Sequence, residues 1–415
     1  MSDHEFRAVL AALDAGAPPV AAPVPPLRSV AVLGAGAVGR LLACEALAAG
    51  LEVRLHSVLG RELTELAEAG TITVRGAHLV GSYPVSTEPS DRPHIRLSRS
   101  LDEAVAGVDA IVVATPATAH ATYAGLLAGN LADGQLLVLV PGRFLGSVAL
   151  SRDLQAHLCS ARVTVAELEA VPYLATARGA GVEVHGVARH LGVSALPVTD
   201  ADQVAARLRP LVPALRPVDG PLDTAFGTVT GVLAVAPVLT NVAVVNGGTG
   251  TGVLLKELVP QALADSLLHQ LDEERREVAF RYGVRDLPSA AGWLRRAYGG
   301  QPADEVEDDG DLAAALRDLE VFDELRIGTG GGPRVIDDVP HSLVPLASAG
   351  REAGVPTPAT DTMVALASSF AGTDFGREGR SLQTLGLAGH DPGELRRVIA
   401  APRADRPHTD VWRRL

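Results

Sequence analysis

Aromatic side chains make up only 3% of this 415-residue chain: two Trp, five Tyr and seven Phe. A core of this size must then be built from Ala, Val and Leu, and the interleaved aromatics on which nucleobases stack are missing. Cysteine is nearly absent too, with Cys44 and Cys159 alone. That number excludes a disulfide framework and offers no metal-ligand spacing, so no metal site is expected and a reducing, cytoplasmic setting fits. There is no long basic run and the net charge is −13, which argues against nucleic acid and anionic membranes as main partners. The chain reads as having no apolar stretch of eighteen residues and no basic segment leading into an apolar one at the N-terminus. Neither a membrane span nor a signal peptide is expected.

What is present is dominated by Ser29 to Arg40, SVAVLGAGAVGR. A short apolar run stops at Gly34-x-Gly36-x-x-Gly39 and continues as an Ala/Leu-rich helix. Gly34 suits a tight turn, Gly36 lets a pyrophosphate approach the backbone, and Gly39 lets helix pack on strand. The helix N-terminus, through Ala37 and Val38, would aim unpaired N–H groups at the phosphates. A second strand, Glu52–His56, follows, as a dinucleotide-binding unit requires.

Strands and helices then alternate. Helix Arg61–Ala69 precedes a hairpin, Thr71–Arg75 with Val80–Val85. Helix Leu101–Ala106, strand Ala110–Ala114, helix Ala119–Ala128 and strands Gln135–Leu139, Val163–Leu168, Gly181–His185 and Leu191–Ala195 complete the series. The fold class is α/β: an N-terminal Rossmann-type doubly wound parallel sheet with an all-helical C-terminal domain after it. The helical candidates are Ala201–Leu208, Thr224–Leu239, Leu254–Tyr282, Ser289–Ala297, Leu312–Leu319, Leu343–Ala353 and Thr360–Phe370. The domains read as a Pro/Ala-rich extension over 1–28 with a short helix at Glu5–Ala15, a dinucleotide-binding domain over 29–198, a helical substrate domain over 199–390 and a polar tail over 391–415. The extension is suited to packing on a neighbouring subunit of a homodimer. The glycine-rich Gly328–Pro333 reads as a hinge with no helix starting after it, not as a phosphate loop, for it lacks the Lys-Ser/Thr such loops carry.

In this fold an acidic residue past the glycines binds the adenosine ribose and favours NAD. No carboxylate occupies the end of the second strand here. Ser57 and Arg61 offer a hydroxyl and a cation suited to a 2′-phosphate, so NADP is expected over NAD. Thr115 and Pro116, at the end of the strand in VVATPATAH, face the nicotinamide side. His120 contacts substrate or caps its turn. Arg143, after the next strand, holds a carboxylate or sits in solvent.

Arg334–Pro340, RVIDDVP, is followed by a Gly-Val-Pro-Thr-Pro turn and by Arg380-x-Leu-x-x-Leu-Gly-Leu. Together with Val171–Arg178, Val184–Gly186 and VVATPATAH, these segments resemble the octopine/nopaline (opine) dehydrogenase family over roughly Ser29 to Leu387. The resemblance implies NAD(P)H-dependent reduction of an imine formed from an amino acid and a 2-oxo acid, with a His–Asp pair handling protons. It places the Asp at Asp338, whose alternative, read alone, is a helix cap in a loop. It places Asn246 where the family's His is expected. His341, beside the Asp338 turn, is the nearest replacement in sequence, or an ordinary loop histidine. Arg334 clamps a substrate carboxylate or stays solvated. A reductase of a preformed imine or keto group, and a non-catalytic nucleotide-binding sensor, are the other readings. A ketopantoate-reductase kind of enzyme needs a suitably placed lysine, and Lys256 is the only lysine.

Overall fold

The fold is that of a computed structural model, and it is described for residues 25–247, 252–328 and 332–400. The N-terminal helix expected at Glu5–Ala15 and most of the polar tail lie outside the described residues, as does the middle of the Gly328–Pro333 segment.

The first half runs β1 (Ser29–Leu33), α1 (Ala37–Ala48), β2 (Glu52–His56), α2 (Gly60–Ala69), β3 (Thr71–Gly76), β4 (Gly81–Ser86), β5 (Ile95–Leu97), α3 (Leu101–Val105), β6 (Ala110–Val113), α4 (His120–Leu127) and β7 (Leu136–Leu139). Then come α5 (Gly146–Ala156), β8 (Thr164–Leu168), β9 (Tyr173–Arg178), β10 (Gly181–Val187), β11 (Leu191–Leu196), α6 (Ala201–Leu208) and β12 (Leu215–Pro217). All twelve strands join one sheet, ordered β12-β11-β8-β7-β6-β1-β2-β5-β4-β3-β10-β9. Its centre is parallel: β1 pairs with β2 and β6, and β7 with β6 and β8. The central strands β6 and β7, AIVV and LLVL, are buried at every position, as strands covered on both faces must be. The flanks are mixed, for β11 runs antiparallel to β8, and β3 to β4.

The order of strands reverses between β1 and β6. Ligand crevices of doubly wound sheets open at such a reversal, beyond the carboxyl ends of the strands. The Gly34 N–H donates to the His56 carbonyl at 2.7 Å and the Ala114 N–H to the Leu33 carbonyl at 2.8 Å, which brings the three strand ends together.

The second half is helical apart from a two-stranded ribbon: α7 (Pro221–Gly227), α8 (Ala236–Thr240), α9 (Val242–Gly247), β13 (Val253–Leu254), α10 (His269–Arg281), α11 (Ala290–Tyr298), α12 (Leu312–Asp318), β14 (Arg326–Ile327), α13 (Gly332–Asp338), α14 (Val344–Ala353), α15 (Pro358–Ala371), α16 (Phe375–Glu378) and α17 (Pro392–Ala400). The expected Thr224–Leu239 helix is broken after Gly227 and resumes through a wide π turn, Gly231–Val235. The expected Leu254–Tyr282 helix is interrupted at Pro260, whose ring and missing N–H stop a helix from running through it. A helix does start after the Gly328–Pro333 segment: α13 begins at Gly332. Asp338 is thus the last residue of a helix and not a loop residue. Pro340 does not end the run either, because a π turn, Val339–Leu343, carries the chain into α14.

The sequence Pro221–Thr240 corrects one expectation. With a mean hydropathy of 1.6 it is long and apolar enough to cross a membrane by composition, yet 83% of that window is buried against the rest of the protein. It is a core segment of the helical half.

The two halves meet around the loop after β7. The Phe144 ring packs edge-on against Phe226 of α7, with centroids 5.1 Å apart and planes at 83°. The Phe144 N–H donates to the His341 carbonyl at 3.1 Å, and Arg380 Nη1 donates to the Phe144 carbonyl at 2.7 Å. From below, buried Glu167 at the end of β8 accepts from the Ser147 N–H, and from Thr224 Oγ1 at 2.6 Å.

Candidate active site

The glycine turn has the geometry that its spacing suggests. Gly34 has φ +108°, a conformation that side chains resist, and a Cβ there would meet the Ala114 carbonyl. A Cβ on Gly39 would run into the Gly34 carbonyl. Gly36 differs: nothing lies within 4 Å of the place its Cβ would take, and the residue is exposed. Gly36 is also the N-cap of α1, with no side-chain cap and no acidic residue in the first turn. Ala37 and Val38, half-buried, follow it. An open approach, uncapped N–H groups and the positive end of a twelve-residue helix fit a pyrophosphate.

At the adenosine end, Ser57 is buried and Arg61 exposed. The helix supplies a carboxylate that the strand end lacks. Ser57 donates to Glu62 Oε2 at 2.6 Å and accepts from the Leu59 N–H at 3.1 Å.

At the end of β6, Thr115 and Pro116 border the crevice, with Pro116 exposed. The helical half reaches this segment directly, for the Thr118 N–H donates to Asp337 Oδ1 at 3.0 Å. Arg143 stands opposite on the loop after β7, in a left-handed conformation with φ +61°. Its Nη2 lies 2.7 Å from Asp338 Oδ1 and 3.2 Å from Asp337 Oδ2. Both carboxylates are buried, Asp338 being 2% exposed. Arg143 is thus not a solvent residue: it pairs with the protein's own carboxylates, which come from the other half.

His341 leans on Asp337, one turn earlier, with Nδ1 2.8 Å from the Asp337 carbonyl and 4.0 Å from its Oδ1. The carbonyl accepts only from a protonated Nδ1, which leaves Nε2 with the lone pair. Burial pushes the His341 imidazole down to about 4, the charge of Arg380 adding to this while Asp337 opposes it. Arg380, itself brought down to about 10 by burial, faces Glu167, Asp153 and Asp337.

His120 begins α4 and caps nothing, since Ala119 is the N-cap. It is 2% exposed, and neither ring nitrogen is satisfied by a hydrogen bond among the described residues. Burial holds it well below the ordinary histidine value, helped by the charges of Arg380, His341 and Arg143; a weak contact with the Thr115 backbone acts the other way. Thr115 Oγ1 and Arg143 Nε are likewise buried without partners. Unsatisfied buried polar atoms are rare in folded proteins, and here several gather at one seam. The side chains of Asn246 and Arg334 lie outside the described residues. A separate groove of about 810 Å³, lined by Glu273, Glu277 and Phe280 among others, shares no residue with this seam.

A dinucleotide crevice faced by a helical half that contributes acids and an imidazole is the architecture of a two-domain NAD(P)-dependent oxidoreductase. Comparison with known proteins agrees. Residues 217–371 match the family described as NAD/NADP octopine/nopaline dehydrogenase, alpha-helical domain. An opine dehydrogenase of Arthrobacter sp. (strain 1C) is 27% identical over 374 residues, which cover 90% of this chain and 99% of that relative. The helical half thus matches that family's alpha-helical domain, and the chain is similar to an opine dehydrogenase over nearly its whole length. Among solved structures, octopine dehydrogenase with NADH and L-arginine superposes with a TM-score of 0.65 at 20% identity, over 92% of this chain and 99% of that one. Yersinopine dehydrogenase with NADP+ bound gives 0.63 at 15% identity, over 94% and 99%. At these identities the two structures establish the fold.

Proposed function

We propose that the chain reduces an imine formed from an amino acid, or another amine, and a 2-oxo acid. The observation that carries this reading is the concentration of buried donors without partners among the described residues, Thr115 Oγ1, the His120 ring and Arg143 Nε, at the seam where Asp337 and Asp338 arrive from the helical half. A substrate pair with two carboxylates and one amine needs that mixture of donors and acceptors. Octopine dehydrogenase has been solved with NADH and L-arginine, and with NADH and pyruvate, an amino acid and a 2-oxo acid.

Gly34, Gly36, Ala37, Val38 and Gly39 would hold the pyrophosphate. Ser57, Arg61 and Glu62 would meet the adenosine end of NADP or NAD, and Thr115 and Pro116 would border the nicotinamide. When bound, the reduced nicotinamide supplies a hydride. The chain's own residues supply the rest. The substrate amine must lose a proton before it adds to the keto carbon, water must leave, and the reduced nitrogen must end with a proton. His341, neutral and with its tautomer set by the Asp337 carbonyl, presents Nε2 as the group that takes and returns that proton. The negative charge of substrate carboxylates would counter Arg380 and raise the imidazole toward the working range. Arg143 and His120, with Arg334, would hold the carboxylates. Asp338, neutralised by Arg143, would fix the position of that guanidinium; Asn246 would orient the substrate.

One observation favours a second reading. Asp337 and Asp338 both face the Arg143 guanidinium, whose charge offsets the support they could lend a histidine cation, and a reductase of a preformed imine or keto group needs less proton transfer. The same assay separates the readings: NADPH or NADH is mixed with panels of amino acids and 2-oxo acids, and absorbance of the reduced cofactor is followed. Oxidation that requires both partners is expected. Oxidation with the keto acid alone selects the second reading, and tight cofactor binding with no oxidation for any pair makes the protein a sensor.

A further inference from the structure

The bond from the Gly34 N–H to the His56 carbonyl sets Ser57 beside the glycine turn, at the carboxyl edge of the sheet. In doubly wound dinucleotide sites this is where the adenosine ribose lies. Ser57 is 5% exposed and its hydroxyl proton is committed to Glu62 Oε2 at 2.6 Å. Glu62 stands in the first turn of α2, next to exposed Arg61. Val58 and Leu59, between them and Ser57, are apolar yet 52% and 50% exposed, an unusual pair for solvent and a suitable rim for a flat apolar base.

A ribose 2′-hydroxyl can donate to Glu62 as the Ser57 hydroxyl does. A 2′-phosphate in the same place sets a charge of about −2 against a carboxylate within a few ångströms, where repulsion is strong. Arg61 acts in the opposite sense. We propose that Glu62 is the specificity-determining residue of the adenosine site: it selects against the 2′-phosphate and so sets the ratio of NADH to NADPH binding. The proposal rests on the oxidoreductase reading above, but concerns only which dinucleotide is held.

Equilibrium titration of the full chain with NADH and with NADPH, followed by cofactor fluorescence and without substrate, tests it. Glu62→Gln keeps an acceptor for Ser57 and so preserves the local fold. It should move the ratio of dissociation constants toward NADPH by about tenfold. Glu62→Ala should move it the same way, and Arg61→Ala should weaken NADPH alone. A ratio that stays within about twofold in both Glu62 variants, while both dinucleotides still bind, overturns the role of Glu62 and leaves the oxidoreductase reading standing. Failure of the unaltered protein to bind either dinucleotide overturns both.

Discussion

Arg143 and Asp338 join the two halves of the molecule across 2.7 Å, and Asp337 shares the same guanidinium at 3.2 Å. Arg143 holds a left-handed backbone conformation, which for a residue with a side chain costs on the order of 1 kcal/mol or more and persists where its surroundings enforce it. Removing one partner of a buried pair is worse than removing both, since the survivor is left charged and dry. Arg143→Ala, which takes the shared guanidinium away from two buried carboxylates, should therefore cost about 3–5 kcal/mol of stability, read from denaturant unfolding. Asp338→Asn removes the charge but keeps the shape. It should lower kcat by about a hundredfold or more while dinucleotide affinity changes by less than about threefold. Unchanged turnover in that variant removes Asp338 from the reaction.

His341 titrates in a range where its effect on stability can be isolated. In the unfolded chain it binds a proton near its ordinary value of 6.5; in the folded protein only near 4. Between these values the unfolded state holds more protons, so stability contributed at neutral pH is lost as pH falls from 6.5 to 4 and is constant below. The gap corresponds to about 3 kcal/mol. Other buried groups respond to pH as well, so the informative quantity is a difference. The melting temperature of the unaltered protein minus that of His341→Gln should fall by several degrees between pH 7 and pH 4.5. A difference that does not move with pH shows that the imidazole is not held neutral.

Gly36 and Gly39 separate binding from folding. An Ala at position 39 collides with the Gly34 carbonyl, while an Ala at position 36 meets nothing. Gly39→Ala should destabilise the first half, by about 1–3 kcal/mol, and lose dinucleotide binding as a consequence. Gly36→Ala should melt within about 2 °C of the unaltered protein and still bind NAD(P)H at least tenfold more weakly, because its methyl group fills the phosphate approach. Normal affinity in Gly36→Ala places the pyrophosphate elsewhere.

These contrasts follow how the chain could be read. The Glu52–His56 strand and the glycine turn were legible because each is local: an apolar run, a turn residue, a run of helix formers. Helix α5 was not, since GSVALSRDLQA follows a Pro-Gly turn and is buried by both halves, which breaks the one-sided pattern that marks a surface helix. The role of Asp337 was hidden by Pro340, which reads as a helix stop. Once α13 is seen to continue through a π turn, residues 337 and 341 fall on one face and their contact follows. Glu62 needed the first turn of α2 to fold back on Ser57, five residues away. Glu167 falls within the expected Val163–Leu168 strand, and nothing in that pattern shows it wholly buried beneath the Arg143 loop.

His120 carries a prediction in which stability and activity move in opposite directions. Its two ring nitrogens are buried and, among the described residues, not satisfied by a hydrogen bond, a condition that costs about 1–3 kcal/mol. Leucine has nearly the same volume and nothing to satisfy. If His120 only packed, His120→Leu would raise the melting temperature and leave kinetics alone. If its ring is kept for a substrate carboxylate, the same change should raise stability by about 1 kcal/mol and raise KM for the 2-oxo acid by about tenfold, with the dinucleotide dissociation constant unaltered. Both readouts come from one variant, thermal unfolding for the first and initial rates against keto acid for the second. The expected result is a protein that is more stable and less able to bind its acceptor, the trade that a site assembled from unsatisfied polar groups imposes.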